Sequence, residues 1–251
     1  MTTPEEQLAR RLAAAAIADD DPTAWFERIY VAAEAGQTAI PWDRGGPSRF
    51  LVQWAQDAGL RDAGLRDAGL DDVGLDKAGP GRAGLRDAGL TGAGRRAVVV
   101  GCGLGHDAEF IAGRGFDTTA FDISPTAVRS ARRRHPDSRV RYTTADLLDL
   151  PADWLQAYDL VVESNTLQAL PDPPRAAAIA SLGRLVAPGG TLLAIARARE
   201  PAEVDDGPPW ALTRAEIDAL AGAGLVAVRI EDLREPGPPP GRRWRAEFTR
   251  P

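Results

Sequence analysis

Residues 95–107 read RRAVVVGCGLGHD. Residues 97–100 are apolar and mostly β-branched, the composition of a short strand buried on both faces. Glycines follow at 101, 103 and 105, and a helical pattern opens at His106 in HDAEFIAGRG. Strand, glycine turn and helix form the first half of a βα unit. Glycine permits the tight turn and lets the backbone approach a ligand that a side chain would hold away. The dinucleotide fingerprint G-x-G-x-x-G requires glycine at 106, where His106 stands, so a nicotinamide or flavin dinucleotide is disfavoured.

Downstream, the same alternation continues. TTAFDI reads as a second strand, and SPTAVRSARRRH as a helix with Ser124 at its cap and Pro125 in its first turn. RVRYTTAD, YDLVVES and GTLLAIARAR are further strands, separated by LLDLPADWLQA and by the helical spacing of PRAAAIASLGRLVAP. Thr213 and Glu216 fit a capping box for a helix through Leu220. LVAVRIEDL and RWRAEFT, joined by the proline-rich EPGPPPG, read as a closing strand pair. The fold class is therefore α/β, with a mostly parallel sheet covered by helices on both faces. Residues 4–18, 23–35 and 47–57 read as helices of an N-terminal cap.

Between cap and strand series lies an array of period five, with glycine at 59, 64, 69, 74, 79, 84, 89 and 94. A five-residue step gives neither a helix nor a strand a continuous buried face. Glycine at every fifth position also costs a helix about 1 kcal/mol each. The tetrapeptide DAGL at 57–60 recurs at 87–90; removing the thirty residues between leaves WAQDAGLTGAGRRAVVVG, an ordinary helix-to-strand connection. Residues 61–90 carry five basic and six acidic side chains, with little to drive collapse. The expected organisation is a cap at 1–56, a solvated low-complexity insertion at 57–94 and the α/β domain at 95–251.

The 251 residues are 44% hydrophobic and 26% charged, ordinary values for a globular chain. Thirty basic against 36 acidic residues, net −6, offer no general basic field for nucleic acid or anionic lipid. No apolar run reaches the roughly 20 residues that span a bilayer, and the first residues lack the basic-then-apolar order of an export signal. A cytoplasmic location without membrane association is the expectation. Cys102 is the single cysteine, which excludes an intrachain disulfide, and two histidines with one cysteine suggest no metal cluster.

Asp122 closes the second strand and Asp146 the third, so both carboxylates fall on the edge where parallel sheets bind ligands. A carboxylate at the first of these positions can accept both hydroxyls of a ribose. With the glycine turn they define a site for a nucleoside-like ligand. VVVGCGLGHDAEF, TTAFDIS, TTADLLDLP, YDLVVESNTLQALP and LVAPGGTLLAIA, in this order, resemble the class I S-adenosylmethionine-dependent methyltransferases. PWDRGGPS and GCGLGHDAE resemble the thiopurine and halide/thiol methyltransferase-like branch of that superfamily. The resemblance implies a Rossmann-like sheet of seven strands with the last antiparallel and S-adenosyl-L-methionine as cofactor. It places Gly101, Gly103 and Gly105 around the methionine part, Asp122 on the ribose, Asp146 with Leu147 near adenine, Ile123 among the cofactor contacts, and Trp42 closing the site. Val99 and Val100 replace the acidic residue that often precedes the glycines, so Asp107 is a candidate contact for the methionine part, beside a structural role at the helix dipole.

The fourth strand ends in ESNT, which should face the transferred methyl. Glu163 is a candidate base or cofactor ligand and Asn165 a candidate catalytic neighbour. This sequence lacks the asparagine-proline-proline-aromatic pattern of enzymes that methylate nucleic acid bases, which favours a small-molecule acceptor. Trp25, Tyr30, Trp42 and Trp210 are candidate walls of an apolar acceptor pocket. The expected activity is methyl transfer to a small molecule by direct displacement. Its alternatives are a non-catalytic cofactor-binding module with the repeat as an interaction arm, or a dinucleotide oxidoreductase.

Overall fold

The computed structural model describes residues 3–60, 92–203, 207–235 and 241–251. The repeat at 61–90, and with it the expectation of a solvated insertion, lies outside the described residues. Both flanks of the array are anchored. Leu60 is buried and its amide donates to the Ala55 carbonyl, while the Gly92 amide donates to the Arg114 carbonyl at 2.7 Å.

The elements in chain order are α1 (Pro4–Ala18), α2 (Ala24–Glu34), α3 (Arg49–Asp57), β1 (Arg96–Val100), α4 (His106–Gly113), β2 (Asp117–Asp122), α5 (Pro125–Arg134), β3 (Arg141–Thr144), β4 (Tyr158–Ser164), α6 (Pro174–Leu185), β5 (Val186–Arg197), α7 (Arg214–Asp218), β6 (Val226–Glu235) and β7 (Gly241–Thr249). They follow local chemistry closely. Thr3 and Glu6 form a capping box that starts α1, Ser124 accepts from the Ala127 amide to cap α5, and Thr213 with Glu216 caps α7. The helix expected to run through Leu220 is α-helical to Asp218 and continues as a 3-10 turn, Ala219–Ala223.

The seven strands form one sheet in the order β3-β2-β1-β4-β5-β7-β6. Strands β1 to β5 pair in parallel, and β7 inserts antiparallel between β5 and β6. Order reverses beside β1, where β2 and β4 lie on either side, and their carboxyl ends open a crevice there. One face carries α6 and α7 over Val98, Val161, Leu192 and Phe248; the other carries α3, α4 and α5 over Val99, Leu160, Leu193 and Ile195. Trp54 of α3 donates to Glu247 of β7 at 3.1 Å, which fixes α3 to this second face.

Helices α1 and α2 do something different. Their buried alanines, Trp25, Ile29 and Tyr30 pack on Ala127 of α5, on Leu104 of the glycine turn and on Ala169 beyond β4. They therefore roof the carboxyl edge rather than a sheet face. Among the described residues, no helix is long and apolar enough to cross a membrane.

Candidate functional site

Gly101, Gly103 and Gly105 all adopt positive φ, +59°, +53° and +91°. A side chain there would be strained in backbone and would also collide. A Cβ on Gly101 would lie 2.3 Å from the Thr166 hydroxyl, on Gly103 2.9 Å from the Tyr30 hydroxyl, and on Gly105 2.4 Å from the Tyr142 hydroxyl. The turn is thus pressed between β4's exit, the roof and β3. Cys102 inside it is buried in the core of the second face, and burial pushes its thiol well up from the ordinary value.

Asp122 meets this turn directly. Its Oδ2 accepts from the Gly103 amide and its Oδ1 from the Ser124 amide, both at 2.9 Å. It is only 6% exposed, and burial, outweighing those amides, raises its carboxyl to about 6. Each oxygen has lone-pair capacity left for further donors. Above it, Trp42 Nε1 donates to the Tyr30 hydroxyl at 3.0 Å, and the Trp42 ring meets those of Trp25 and Tyr30 edge to face, with centroids 5.8 and 5.9 Å apart. Burial first, and the nearby Asp122 carboxylate second, keep the Tyr30 hydroxyl protonated.

The roof is fastened by ionic contacts that sequence reading missed. Glu27 of α2 accepts from the Ser124 hydroxyl (2.5 Å), the Thr126 amide (3.1 Å) and the Thr126 hydroxyl (2.6 Å), so it caps α5 from another helix. No local spacing relates residues 27 and 124. Asp43, next to Trp42, lies 3.1 Å from His106 Nε2 and 3.5 Å from Arg134. Burial works against its charge, yet the Gly45 amide, Arg134 and His106 hold its carboxyl below the ordinary range. Asp107 accepts from the Ser48 amide at 2.6 Å. Its carboxyl is raised by burial, against this amide and the Ser164 side chain, so Asp107 joins α3's start, the glycine turn and β4's end.

Glu163 occupies a different setting from Ser164. In register it sits in the row Phe121, Val100, Glu163, Ala194, Ala246, on the α6 face, and is fully buried. Its Oε1 accepts from the Thr166 amide (2.6 Å) and the Leu167 amide (2.9 Å), while Oε2 has no hydrogen-bond partner among the described residues. Burial among apolar neighbours outweighs the amides and pushes this carboxyl up to about 7. The turn it closes lets the Thr166 hydroxyl donate to the Val100 carbonyl over Gly101. Asn165 adopts φ +69°; its Oδ1 accepts from Arg243 at 3.0 Å.

Asp146 accepts from the Leu148 amide at 2.8 Å at the exit of β3, and Leu147 beside it is buried in the α6-face core. Ile123 is half-buried after Asp122. Trp210 stands apart from the other candidate walls. Its amide donates to the Gln168 carbonyl, and it lines a separate cleft of about 310 Å3 with Pro171, Asp172, Arg175, Arg199 and Glu203. No ring contact joins it to the roof aromatics among the described residues. Among those residues, no group of three or more His, Cys, Asp or Glu side chains is placed to hold a metal ion.

Residues 97–190 match the family described as "Methyltransferase domain". Among curated proteins, the ubiquinone biosynthesis O-methyltransferase of Xanthomonas oryzae pv. oryzae (strain PXO99A) is 36% identical over 111 residues, 43% of this chain and 46% of that protein. The counterpart in Xanthomonas campestris pv. campestris (strain B100) is also 36% identical over 111 residues, with the same shares. The alignment spans about half the length of these curated relatives. Among solved structures, one described as "Conversion of a Disulfide Bond into a Thioacetal Group during Echinomycin Biosynthesis" aligns over 89% of this chain and 92% of that one, at 21% identity and TM-score 0.62. N-methyltransferase NodS from Bradyrhizobium japonicum WM9, in complex with S-adenosyl-l-homocysteine, aligns over 63% and 79%, at 23% identity and TM-score 0.53. At such identities the likeness is one of fold. The match to the methyltransferase-domain model covers residues 97–190, and the seven-stranded sheet, with β7 antiparallel between β5 and β6, has the Rossmann-like fold of these solved structures.

Proposed function

We propose that this protein is an S-adenosylmethionine-dependent methyltransferase that acts on a small-molecule acceptor in the cytoplasm. The observation that carries the reading is Asp122: a buried carboxylate at the end of β2, held by the Gly103 amide under the Tyr30–Trp42 roof, with acceptor capacity to spare. Its chemistry fits a ribose diol, which offers two adjacent donors. The three positive-φ glycines fit a close backbone approach to the methionine part, while Ile123, Asp146 and Leu147 stand where adenine would follow along the strand ends.

When bound, the sulfonium supplies an electrophilic methyl and a neutral leaving group. The protein's share is alignment and exclusion of water. Trp25, Tyr30 and Trp42 cover the glycine turn, and Ser164 with Asn165 stands at β4's exit, where the acceptor approaches. Glu163 is a positioning residue: it closes the turn that sets Thr166 over Gly101 and lies on the face away from Ser164. Without a dedicated base, the fitting acceptors are atoms that ionise readily or are intrinsically nucleophilic, a thiol or a phenol. The Trp42 loop supports placement in the thiopurine and halide/thiol methyltransferase-like branch. A net charge of −6 supports a small molecule over nucleic acid.

Calorimetric titration with S-adenosylmethionine, S-adenosylhomocysteine and NAD tests the reading. The two sulfur nucleosides should bind and NAD should not. Asp122→Ala should weaken both about 10- to 100-fold, the loss of hydrogen bonds to a charged group. No binding of either sulfur nucleoside by folded protein refutes the assignment. Binding without turnover on any thiol or phenol points instead to a non-catalytic cofactor-binding module.

A further inference from the structure

Four arginines from three separate stretches of the chain gather at the carboxyl edge beside Asn165. Arg197 ends β5 and pairs in register with Arg243 of β7, and both lie on the α3 face, two positions beyond Ile195 and Arg245 respectively. Arg243 is largely buried; its Nη1 donates to Asn165 Oδ1 at 3.0 Å and its Nε to Glu235 at 2.8 Å. Arg49, at the start of α3, lies 3.6 Å from the same Glu235 and stacks on Phe50. Arg44, from the loop that carries Trp42, acts electrostatically on both Arg243 and Glu235.

Glu235 is therefore shared by three guanidinium groups, Arg243, Arg49 and Arg44, while Arg197 stands beside Arg243, in a chain whose net charge is negative. Burial, together with the like charges of Arg197 and Arg44, lowers the Arg243 pKa against the pull of Glu235. Arg44 and Arg197 are exposed, and among the described residues neither forms a salt bridge, Arg44 acting on Glu235 only at longer range. Four like charges gathered around a single counterion, Glu235, are unfavourable in the free protein, and an oxyanion held between them relieves that repulsion. Guanidinium groups also bind carboxylate and phosphate in a bidentate, directional way.

We propose that the acceptor carries an oxyanionic group, carboxylate or phosphate, bound by Arg197, Arg243 and Arg44 so that its nucleophilic atom is held at Ser164 and Asn165. This rests on the methyl-transfer reading and names its substrate class. Arg243 through Asn165 ties the anion subsite to the turn that ends β4, so the anion orients the acceptor as well as holding it.

The test uses the full chain and begins with S-adenosylhomocysteine binding by calorimetry. The protein saturated with S-adenosylhomocysteine is then titrated with 2-mercaptobenzoate, phenyl phosphate and, as the neutral control, phenol. At least one anion should bind ten or more times more tightly than phenol, and which one does so separates a carboxylate from a phosphate acceptor. Arg197→Ala, an exposed substitution, should weaken that anion at least tenfold and leave S-adenosylhomocysteine affinity unchanged, and Arg197→Lys should recover part of the loss. Equal binding of phenol and both anions, or no effect of Arg197→Ala, overturns the inference while the methyltransferase reading stands. Failure to bind S-adenosylhomocysteine overturns both.

Discussion

Replacing Glu163 with glutamine should stabilise the ligand-free protein in mild alkali and leave it nearly unchanged in acid. The carboxyl titrates at about 7 in the folded protein against an ordinary 4.5, because it is fully buried in a row of apolar side chains. The folded state thus binds the proton more tightly than the unfolded state. Stability from this group is complete below about pH 4.5 and is lost as pH rises through about 7. Each pH unit between the two values corresponds to about 1.4 kcal/mol, so the ionised carboxylate destabilises the fold by roughly 3 kcal/mol at pH 8.5.

Glutamine keeps the carbonyl that accepts from the Thr166 and Leu167 amides and has no charge to bury. Its amino group, like the hydroxyl of the protonated acid, meets no partner, so the two proteins should match within about 1 kcal/mol at pH 5. At pH 8.5, Glu163→Gln should be more stable by about 2 to 3 kcal/mol, and should melt roughly 4–12 °C higher for a chain of this size. Urea unfolding of both proteins at half-unit steps from pH 5 to 8.5 reads the difference. Asp122, also raised, to about 6, is present in both and cancels. A difference that is independent of pH, or a variant less stable than the parent at pH 8.5, would refute the reasoning.

Glu27→Ala should cost about 2 to 4 kcal/mol, since three hydrogen bonds to one carboxylate join α2 to the start of α5. Denaturant titration at pH 7 reads this, and a loss below about 0.5 kcal/mol would show that the roof is held by its apolar contacts alone. Because the Ser124 and Thr126 bonds lower the Glu27 pKa despite burial, its contribution should fade only as pH falls through that lowered value. Gly103→Ala should destabilise the protein by about 1 to 3 kcal/mol, through φ +53° and the Cβ approach of 2.9 Å to the Tyr30 hydroxyl. It should also weaken S-adenosylhomocysteine by lifting the roof from the turn. Unaltered melting and unaltered affinity together would contradict the close packing described.

Much of this architecture was legible along the chain because its signals are local. Valines before glycines, Ser124 with Pro125, and Thr213 with Glu216 each act within one turn of their own backbone, and each of these elements begins where its pattern predicts. The βα alternation then leaves little freedom: parallel strands with right-handed crossovers bring Asp122 and Asp146 to one edge whatever the details. The helices before the repeat were visible by the same periodicity, but not their division into α3 on a sheet face and α1–α2 over the edge.

What pairing and packing settle could not be read in this way. ESNT announces a carboxyl near the end of β4, yet only the register with Val100 and Ala194 turns Glu163 to the α6 face and Ser164 to the other, because neighbouring strand residues point oppositely. Glu27 caps a helix nearly a hundred residues away, a bond with no trace in local spacing. Arg44, Arg197 and Arg243 resemble any other surface arginines in an arginine-rich chain until β7 inserts antiparallel beside β5 and sets two of them opposite each other. Elements follow from short-range sterics and hydrophobic period, which sequence carries directly; charge clusters and side-chain facing depend on long-range register, which exists only once the sheet is assembled.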